Sequence, residues 1–366
     1  HRLHRMRFLQ LHLSCRPPPT RLHSSGKRKG ERNHQGKKKL TQEAFEDMVQ
    51  KLIVSPSPHV HSGDTIQKNM YNVLIALIPA LLVALYVFRL DALIITACSV
   101  LFCVVFEYLI VKYILKKTPN VTDGSAIITG VLLAFNVPSN LPLWILAIGC
   151  LFAIGVVKIS FGGLGNNIFN PAIAGRIFLL ISFPAQMTTW PAAATAVDAV
   201  SSATVLDNLK LSPEALPSLQ SMFLGTEGGS LGEMSSLALL LGLAYLLWKK
   251  TITWHIPISI LATVALFTGA LYLFDPQPLY HPLIHLFSGG LMLGAVFMAT
   301  DYVTSPMTRK GMLIYGVGIG FVTVAIRLWG AYPEGVSFAI LLMNALTPLI
   351  NNYTSPKRFG EVVKHG

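Results

Sequence analysis

Long runs of hydrophobic residues alternate with short polar segments along most of this chain. A run of about 20 apolar residues is long enough to cross the hydrocarbon core of a bilayer as an α-helix. The runs cover residues 70–88, 92–115, 124–137, 143–160, 171–185, 230–248, 254–274, 285–300, 311–328 and 336–350. This pattern predicts an all-α polytopic membrane protein with ten transmembrane helices.

The ten runs fall into two groups of five that resemble each other, which indicates an internal repeat. Residues 130–136 match residues 294–300, and residues 156–158 match residues 325–327. Because each group contains an odd number of runs, the second copy must enter the membrane from the opposite side. The sequence therefore predicts two inverted five-helix repeats, related by a pseudo-two-fold axis in the membrane plane.

The same pattern divides the chain into segments. We expect the first five-helix repeat at 48–190, a polar loop at 191–229 and the second five-helix repeat at 230–366. The net charge of +12 is concentrated in residues 1–47, which hold 12 Lys and Arg against four Asp and Glu. We interpret 1–47 as a disordered or non-native extension rather than a nucleic-acid-binding arm, and Met48 as the start of the organised sequence.

Composition and charge agree with a membrane protein. Hydrophobic residues make up 52% of the chain and charged residues 13%, and the mean hydropathy is +0.55. Such values exclude an ordinary soluble domain, in which about a quarter of the residues are charged.

Basic residues then orient the predicted helices. If the N-terminus is cytoplasmic, eleven Lys and Arg after the first run lie inside and three lie outside, as the positive-inside rule requires. We therefore expect both termini in the cytoplasm and the loop at 191–229 on the extracytoplasmic side.

The polar loop carries the most suggestive chemistry, the sequence Asp198-Ala-Val-Ser-Ser-Ala-Thr204. A threonine hydroxyl can carry a phosphodiester, and this would anchor a flavin without using its redox-active ring. The alternative is structural: Ser201, Ser202 or Thr204 could begin a short helix through Leu209, since Ser and Thr are favoured N-cap residues. The residues alone leave both interpretations open.

Five ionisable residues lie in or beside the predicted helices, namely Glu107, Lys158, Arg176, Asp301 and Arg327. Charges inside a bilayer are costly and mark partners or functional sites. We expect Lys158, near a helix end, to extend towards the membrane surface. Arg176 is the better candidate for a site, because it could neutralise an anionic flavin or a phosphate.

Two other features have open or structural interpretations. The Gly-rich segment 161–171 could hold a ligand or an ion through the amides of Asn166, Asn167 and Asn170, or could be a turn that satisfies its own backbone. His281 and His285 flank predicted helices without metal-ligand spacing, and we interpret them as interfacial.

Four segments together resemble the NqrB/RnfD family of membrane subunits from ion-pumping oxidoreductases. They are residues 51–65, 123–126, 170–176 and 344–348. The resemblance extends from about Met48 to the end of the chain, and members of this family have ten spans in inverted halves.

The resemblance implies a covalent flavin. In this family FMN is joined through its phosphate to the threonine of an Asp-x-x-Ser/Thr-Gly-Ala-Thr motif by a dedicated flavin transferase. Transferred to this sequence, Thr204 is the attachment residue, and the matching positions are Asp198, Ser201, Ser202 and Ala203. Ser202 stands where glycine is usual. A second flavin, riboflavin, is also implied by the family, but no residue here identifies its pocket.

The implied function is electron transfer between reduced ferredoxin and NAD⁺, coupled to Na⁺ or H⁺ movement across the cell inner membrane. The resemblance also implies the other Rnf subunits (A, B, C, E and G) as partners. Two alternatives stand beside it. One is an NqrB-type subunit of a quinone-reducing Na⁺ pump, and the short region after Met48 favours the Rnf branch over it. The other is a redox-inert transporter with the same inverted repeat.

Overall fold

The structure is a computed structural model that describes residues 65–118, 121–191, 204–211, 218–225, 229–330, 332 and 334–356. Helices dominate these residues. In chain order they are α1 (Ile66–Leu109), α2 (Ser125–Phe135), α3 (Leu143–Leu151), α4 (Pro171–Ser182), α5 (Pro184–Met187), α6 (Val205–Leu211), α7 (Leu219–Leu224), α8 (Ser236–Trp248), α9 (His255–Phe274), α10 (Pro282–Phe287), α11 (Leu291–Leu293), α12 (Arg309–Trp329) and α13 (Val336–Thr354). Single π-helical segments extend α1 over Ile110–Ile114, α3 over Phe152–Ile159 and α11 over Gly294–Met298.

Four of these helices are long and apolar enough to cross a membrane, judged by length and composition. They are α1 with its π-helical extension, α9, α12 and α13. Shorter apolar helices cover Ser125–Phe135, Leu143–Ile159, Pro171–Ser182 and Ser236–Trp248. The chain is therefore a helical membrane protein, as the hydrophobic pattern predicts.

Helix α1 contains the first of the predicted runs and most of the second. The two runs are separated only by a kink at one residue. Arg89 has φ 51° and ψ −125°, which is not helical. The runs predicted at 70–88 and 92–115 meet at this residue. A change of chain direction is thus made without a loop of any length.

Two predicted boundaries are wrong, each for a local reason. The run at 230–248 becomes helical only at Ser236, because the Ser235 hydroxyl accepts a hydrogen bond from the Ala238 N–H and so begins the helix there. The run at 285–300 is divided between α10 and α11. The break falls at Ser288 and Gly289, where Gly289 adopts φ +64°, a left-handed conformation that glycine tolerates without steric cost.

Close helix packing in the second half of the chain depends on small residues. Helix α12 lies against α9, and Gly316 and Gly320 of α12 leave no room for a side chain. A methyl group at Gly316 would overlap the Ser259 hydroxyl, and one at Gly320 would overlap Thr263. Small residues at such positions let helix backbones approach closely, which is how apolar helices associate in lipid.

We expect Gly316→Ala to destabilise the protein by about 1–3 kcal/mol, because an added methyl group at a tightly packed position forces the helices apart. Thermal unfolding in detergent would measure this. Gly318→Ala is the matched control on the same helix: the new methyl group meets the flexible end of Met343, which can move away. Equal losses in both variants would contradict the close contact between α9 and α12.

Candidate functional site

Thr204 lies at the start of helix α6 and is buried, with 6% of its surface exposed. Its carbonyl accepts the first hydrogen bond of the helix, from the Asn208 N–H at 2.9 Å. The interpretation that a short helix begins here is therefore confirmed for the backbone of Thr204. The other motif positions, Asp198, Ser201, Ser202 and Ala203, lie outside the described residues.

A small hydrophobic cluster fixes α6 in place. Leu206 and Leu209 of α6 pack with Met222 of α7 and Ile284 of α10, and all four are almost fully buried. Because Thr204 directly precedes this helix, the cluster also determines where the threonine lies.

Thr204 lines a pocket of about 370 Å³. Most of the other lining groups are small or apolar, including Gly229, Met234 and Gly289. The polar contributions come from the Glu233 carboxylate and the Ser288 hydroxyl, and each keeps one buried oxygen that has no hydrogen-bond partner among the described residues. The pocket thus offers one acceptor and one hydroxyl beside the threonine.

Arg327 of α12 holds one wall of this pocket. Its guanidinium is buried and donates from Nη2 to the Ser288 carbonyl (3.0 Å), from Nη1 to the His285 carbonyl (2.6 Å) and from Nε to the Glu334 carbonyl (3.1 Å). All three nitrogens are therefore engaged by backbone oxygens. This geometry uses the planar fork of arginine, which the point charge of lysine could not reproduce.

His285 packs inside the protein, within α10. Its side chain is buried, and its Nε2 lies 2.7 Å from the Leu279 carbonyl. Arg327 binds the carbonyl of His285 itself. This histidine therefore belongs to the group of residues that Arg327 holds beside the pocket.

Arg176 of α4 is buried beside the same frame. Its Nη2 forms an ion pair with the Glu334 carboxylate, and its Nη1 donates to the Ser337 hydroxyl. Glu334 thus joins the two arginines: its side chain binds Arg176 and its carbonyl accepts from Arg327. A buried ion pair of this kind requires both partners, because removing one leaves an uncompensated charge.

Arg176 and the Thr204 pocket meet at a pair of glycines. A methyl group placed on Gly290 would lie 3.4 Å from Glu233 Oε1 and 4.0 Å from Arg176 Nη1. Glu233 and Gly289 also line the Thr204 pocket. Glu233, which lines the Thr204 pocket, and Arg176 therefore both lie close to Gly290.

A larger cavity, of about 890 Å³, adjoins Arg176 on α4. Aromatic residues, apolar residues and the Arg176–Glu334 pair line it. The aromatic and apolar groups include Ile177, Leu180, Met187, Trp190, Tyr332 and Phe338.

Lys158 does not extend towards the membrane surface, so that expectation is wrong. Its ammonium is buried and donates to both Glu107 oxygens, at 2.9 and 2.7 Å, and to the Ser125 hydroxyl at 2.7 Å. The hydroxyl in turn donates to Asp123 Oδ1 at 2.8 Å. Three donors thus meet three acceptors, which satisfies the ammonium completely.

The Gly-rich segment is a turn that satisfies its own backbone. Gly162, Gly163 and Gly165 adopt positive φ values, and Asn170 Oδ1 accepts from the N–H groups of Ala172 and Ile173 at the start of α4. The Asn170 Nδ2 donates to the Met298 carbonyl at 3.2 Å, which ties this turn to the end of α11. Beside the turn lies a separate cavity of about 750 Å³, whose polar lining includes Lys158, Asn167 and Asp301.

Two carboxylates of the site escaped the sequence analysis. Glu233 is an acidic residue inside the predicted run at 230–248. Glu107 was selected because it is an acidic residue within an apolar run, and the same criterion would have selected Glu233. Glu334 lies two residues before the run at 336–350. Nothing in its local sequence indicates that it pairs with Arg176, which is 158 positions earlier.

Buried ion pairs within apolar helices, with cavities beside them, are features of membrane proteins in which intramembrane charges mark functional sites. Comparison with known proteins shows the family to which the chain belongs. A model of the NQR2, RnfD, RnfE family matches residues 53–360. The chain belongs to this family.

Individual relatives each match 84% of the chain. It is 49% identical over 312 residues to the D subunit of the Na(+)-translocating ferredoxin:NAD(+) oxidoreductase complex of Acetobacterium woodii, covering 84% of this chain and 95% of the relative. It is 44% identical over 321 residues to the D subunit of the proton-translocating ferredoxin:NAD(+) oxidoreductase complex of Clostridium ljungdahlii, covering 84% and 96%. It is also 37% identical over 346 residues to the D subunit of the ion-translocating oxidoreductase complex of Erwinia tasmaniensis, covering 84% and 98%.

We expect Lys158→Met to destabilise the protein by about 3–5 kcal/mol, because it leaves the Glu107 carboxylate buried without its partner. The double variant Glu107→Leu/Lys158→Met should recover most of that loss, since neither charge is then buried. Thermal unfolding in detergent of the single and double variants measures the coupling. Lys249→Met, which removes an exposed lysine, is the control and should change little. A harmless Lys158→Met would contradict the buried ion pair.

Proposed function

We propose that this chain is the D-type membrane subunit of an Rnf complex, in which it relays electrons between ferredoxin and NAD⁺ in a process coupled to ion translocation. The observation that carries this proposal is its 49% identity over 95% of the length of a relative that is named as the D subunit of a ferredoxin:NAD(+) oxidoreductase complex. The quinone-reducing alternative has no comparable support among the three relatives. The proposal makes the other Rnf subunits (A, B, C, E and G) its partners.

We further propose that Thr204 carries a covalent FMN through its phosphate. Support comes from the motif that ends at Thr204 and from the fit of its surroundings. Thr204 lines this pocket together with Gly229, Glu233, Ser288 and Gly289. Ser288 supplies a hydroxyl without a partner among the described residues, and a phosphate oxygen would satisfy it. Gly289 lets Leu206 and Arg327 pack closely beside the pocket, because a Cβ there would lie 2.7 Å from the Leu206 side chain and 3.1 Å from Arg327 Nη2.

When bound, FMN would accept and pass on one or two electrons. The residues of this chain would hold it: Thr204 anchors the phosphate, and the cluster around Leu206 and Leu209 keeps that anchor in place. Arg327 fixes the position of Ser288 through its carbonyl. The riboflavin that the resemblance implies remains a prediction without assigned residues.

The arrangement in the membrane is part of the same proposal. We place ten spans in two inverted repeats in the cell inner membrane, with both termini cytoplasmic and the Thr204 loop outside. The coupling ion is Na⁺ or H⁺, because the names of two relatives, at 49% and 44% identity, differ in this respect. Uptake of ²²Na⁺ by vesicles in the presence of a protonophore would distinguish the two.

We expect Thr204→Ala to abolish covalent flavin while leaving membrane insertion intact, because only the acceptor hydroxyl is lost. The measurement is flavin fluorescence of the denatured chain on a gel after co-expression with a flavin transferase. Thr189→Ala is the matched control: this exposed threonine donates to the Ala185 carbonyl and lines neither the Thr204 pocket nor the cavity beside Arg176.

A band that stays fluorescent in Thr204→Ala would reject this residue as the anchor. A dark wild-type band, with a transferase that is active on another target, would favour the redox-inert transporter. Ser202→Gly separates one further possibility: if it turns a dark band fluorescent, the serine in the motif blocks modification.

The orientation can be tested by cysteine labelling. We expect a membrane-impermeant maleimide to label Ser218→Cys in intact cells, because this exposed residue immediately precedes α7 in the loop placed outside. Lys117→Cys, exposed near the end of the α1 extension, should be labelled only after the membrane is permeabilised. Wild-type protein gives the background from native cysteines. The reverse labelling pattern would invert the proposed topology.

A further inference from the structure

We propose that the surface where the α8–α9 turn meets the start of α12 binds the headgroup of an anionic phospholipid. We call it the basic surface, and it consists of four basic side chains and two tryptophans: Lys249, Lys250, Arg309, Lys310, Trp248 and Trp254. None of these residues lines the Thr204 pocket or the cavity beside Arg176.

The two parts of the basic surface lie together because the α8–α9 turn packs on the first turn of α12. The Thr253 hydroxyl, in the α8–α9 turn, donates to Met312 Sδ of α12 at 3.4 Å. Lys250 precedes Thr253 by three residues, which is at most about 11 Å of chain. Arg309 precedes Met312 by less than one helical turn. The long basic side chains of the turn and of α12 can therefore reach one headgroup.

The end of α8 is fixed by backbone hydrogen bonds and does not need the lysine side chains. The N–H groups of Lys250 and Thr251 donate to the carbonyls of Leu247 and Leu246, both at 3.0 Å. Lys250 adopts φ +55°, the left-handed conformation for which glycine is favoured at the end of a helix. A lysine here has backbone strain that a glycine would avoid. The presence of lysine at this position favours a role for its charge over a role in folding.

The four basic side chains are exposed, and no carboxylate pairs with any of them among the described residues. The Lys249 ammonium lies 4.9 Å from the centre of the Trp248 ring and 5.9 Å from that of Tyr245. These rings hold the ammonium in place without neutralising it. The basic surface thus carries four positive charges, and a ligand that complements it must be anionic.

Apolar side chains continue from the basic surface along both helices. On α8, Trp248 is 74% exposed, and the exposed Leu241 and Leu237 follow it at helical spacing. On α9, Trp254 and Ile258 are each 50% exposed. Exposed apolar faces of helices in a bilayer lie against acyl chains, and tryptophan is enriched at the level of the headgroups. The matching ligand therefore combines an anionic head with hydrocarbon tails.

A phosphodiester headgroup meets both requirements. Lysine binds phosphate oxygens as a point charge, and an arginine guanidinium can bind two of them at once. Phosphatidylglycerol carries a net negative charge, whereas the choline of phosphatidylcholine cancels the charge of its phosphate. Inorganic phosphate has the charge but no tails. The basic surface should therefore select the anionic lipid over both.

Native mass spectrometry of the full chain in detergent micelles measures this selection directly. Phosphatidylglycerol and phosphatidylcholine with identical acyl chains are added in separate titrations, and inorganic phosphate in a third. We expect the wild-type protein to bind phosphatidylglycerol several-fold more tightly than phosphatidylcholine, and inorganic phosphate much more weakly than either. The preference for phosphatidylglycerol should decrease as ionic strength rises, because exposed charges are screened by salt.

Two triple variants, each of which removes three exposed positive charges, locate the site. The first is Lys249→Gln/Lys250→Gln/Arg309→Gln, which should lose most of the preference for phosphatidylglycerol and keep its affinity for phosphatidylcholine. The matched control changes exposed lysines at the end of the α1 extension and should keep the preference: Lys112→Gln/Lys116→Gln/Lys117→Gln. Thermal unfolding in detergent verifies that both variants fold, and the wild-type comparison of the two lipids depends on neither.

Three results would overturn the lipid site. The first is equal affinity of the wild-type protein for the two lipids. The second is an equal loss of preference in the two triple variants, which would indicate a general effect of net charge. The third is binding of inorganic phosphate as tight as that of phosphatidylglycerol, which would replace the lipid by a small anion. Covalent flavin at Thr204 is independent of all three.

Discussion

A charge buried among apolar helices must be matched by a partner, and the described structure depends on how this is done. Arg327 meets the requirement with backbone carbonyls alone, those of His285, Ser288 and Glu334, of which Ser288 lines the Thr204 pocket. Each bond to a charged group contributes about 1.5–3 kcal/mol, and two of the three hold carbonyls outside the helices, at Ser288 and Glu334. The break between α10 and α11 keeps one conformation because an arginine holds it.

The buried charge of Lys158 is matched by side chains instead of backbone carbonyls. The Lys158 cluster also differs from the Arg176–Glu334 pair in how completely its atoms are hydrogen-bonded. Its three donors are used by two Glu107 oxygens and the Ser125 hydroxyl, all from side chains on other helices. The result is a closed cluster that joins α1, α2 and α3. The Arg176–Glu334 pair is open by comparison, since each member keeps one atom without a partner among the described residues. A closed cluster suits packing, and an open one suits binding.

The helices could be predicted from the sequence, because a run of apolar residues shows directly which segment is surrounded by apolar groups. Contacts between residues that are far apart in the sequence could not be predicted in this way. Glu107 and Lys158 are 51 positions apart, and their spacing gives no sign that their helices meet. The break at Gly289 was missed for a different reason: a glycine pair can pack in a helix or end one, and only the left-handed φ of Gly289 decides. The start of α6 at Thr204 could be predicted, since threonine is a common N-cap. The residues that surround Thr204 could not be predicted, because they come from α7, α10 and the segment before α8.

The burial of Thr204 has a consequence for the biogenesis of the protein. A threonine that is 6% exposed and lines a pocket with Phe287 and Ser288 is out of reach of the active site of a separate enzyme. If a transferase modifies this residue, it must meet α6 undocked, either during synthesis or in a transient opening of the small cluster around Leu206. Maturation and the final folding of this loop would then be ordered events, with the cofactor added first and the helix closing over it afterwards.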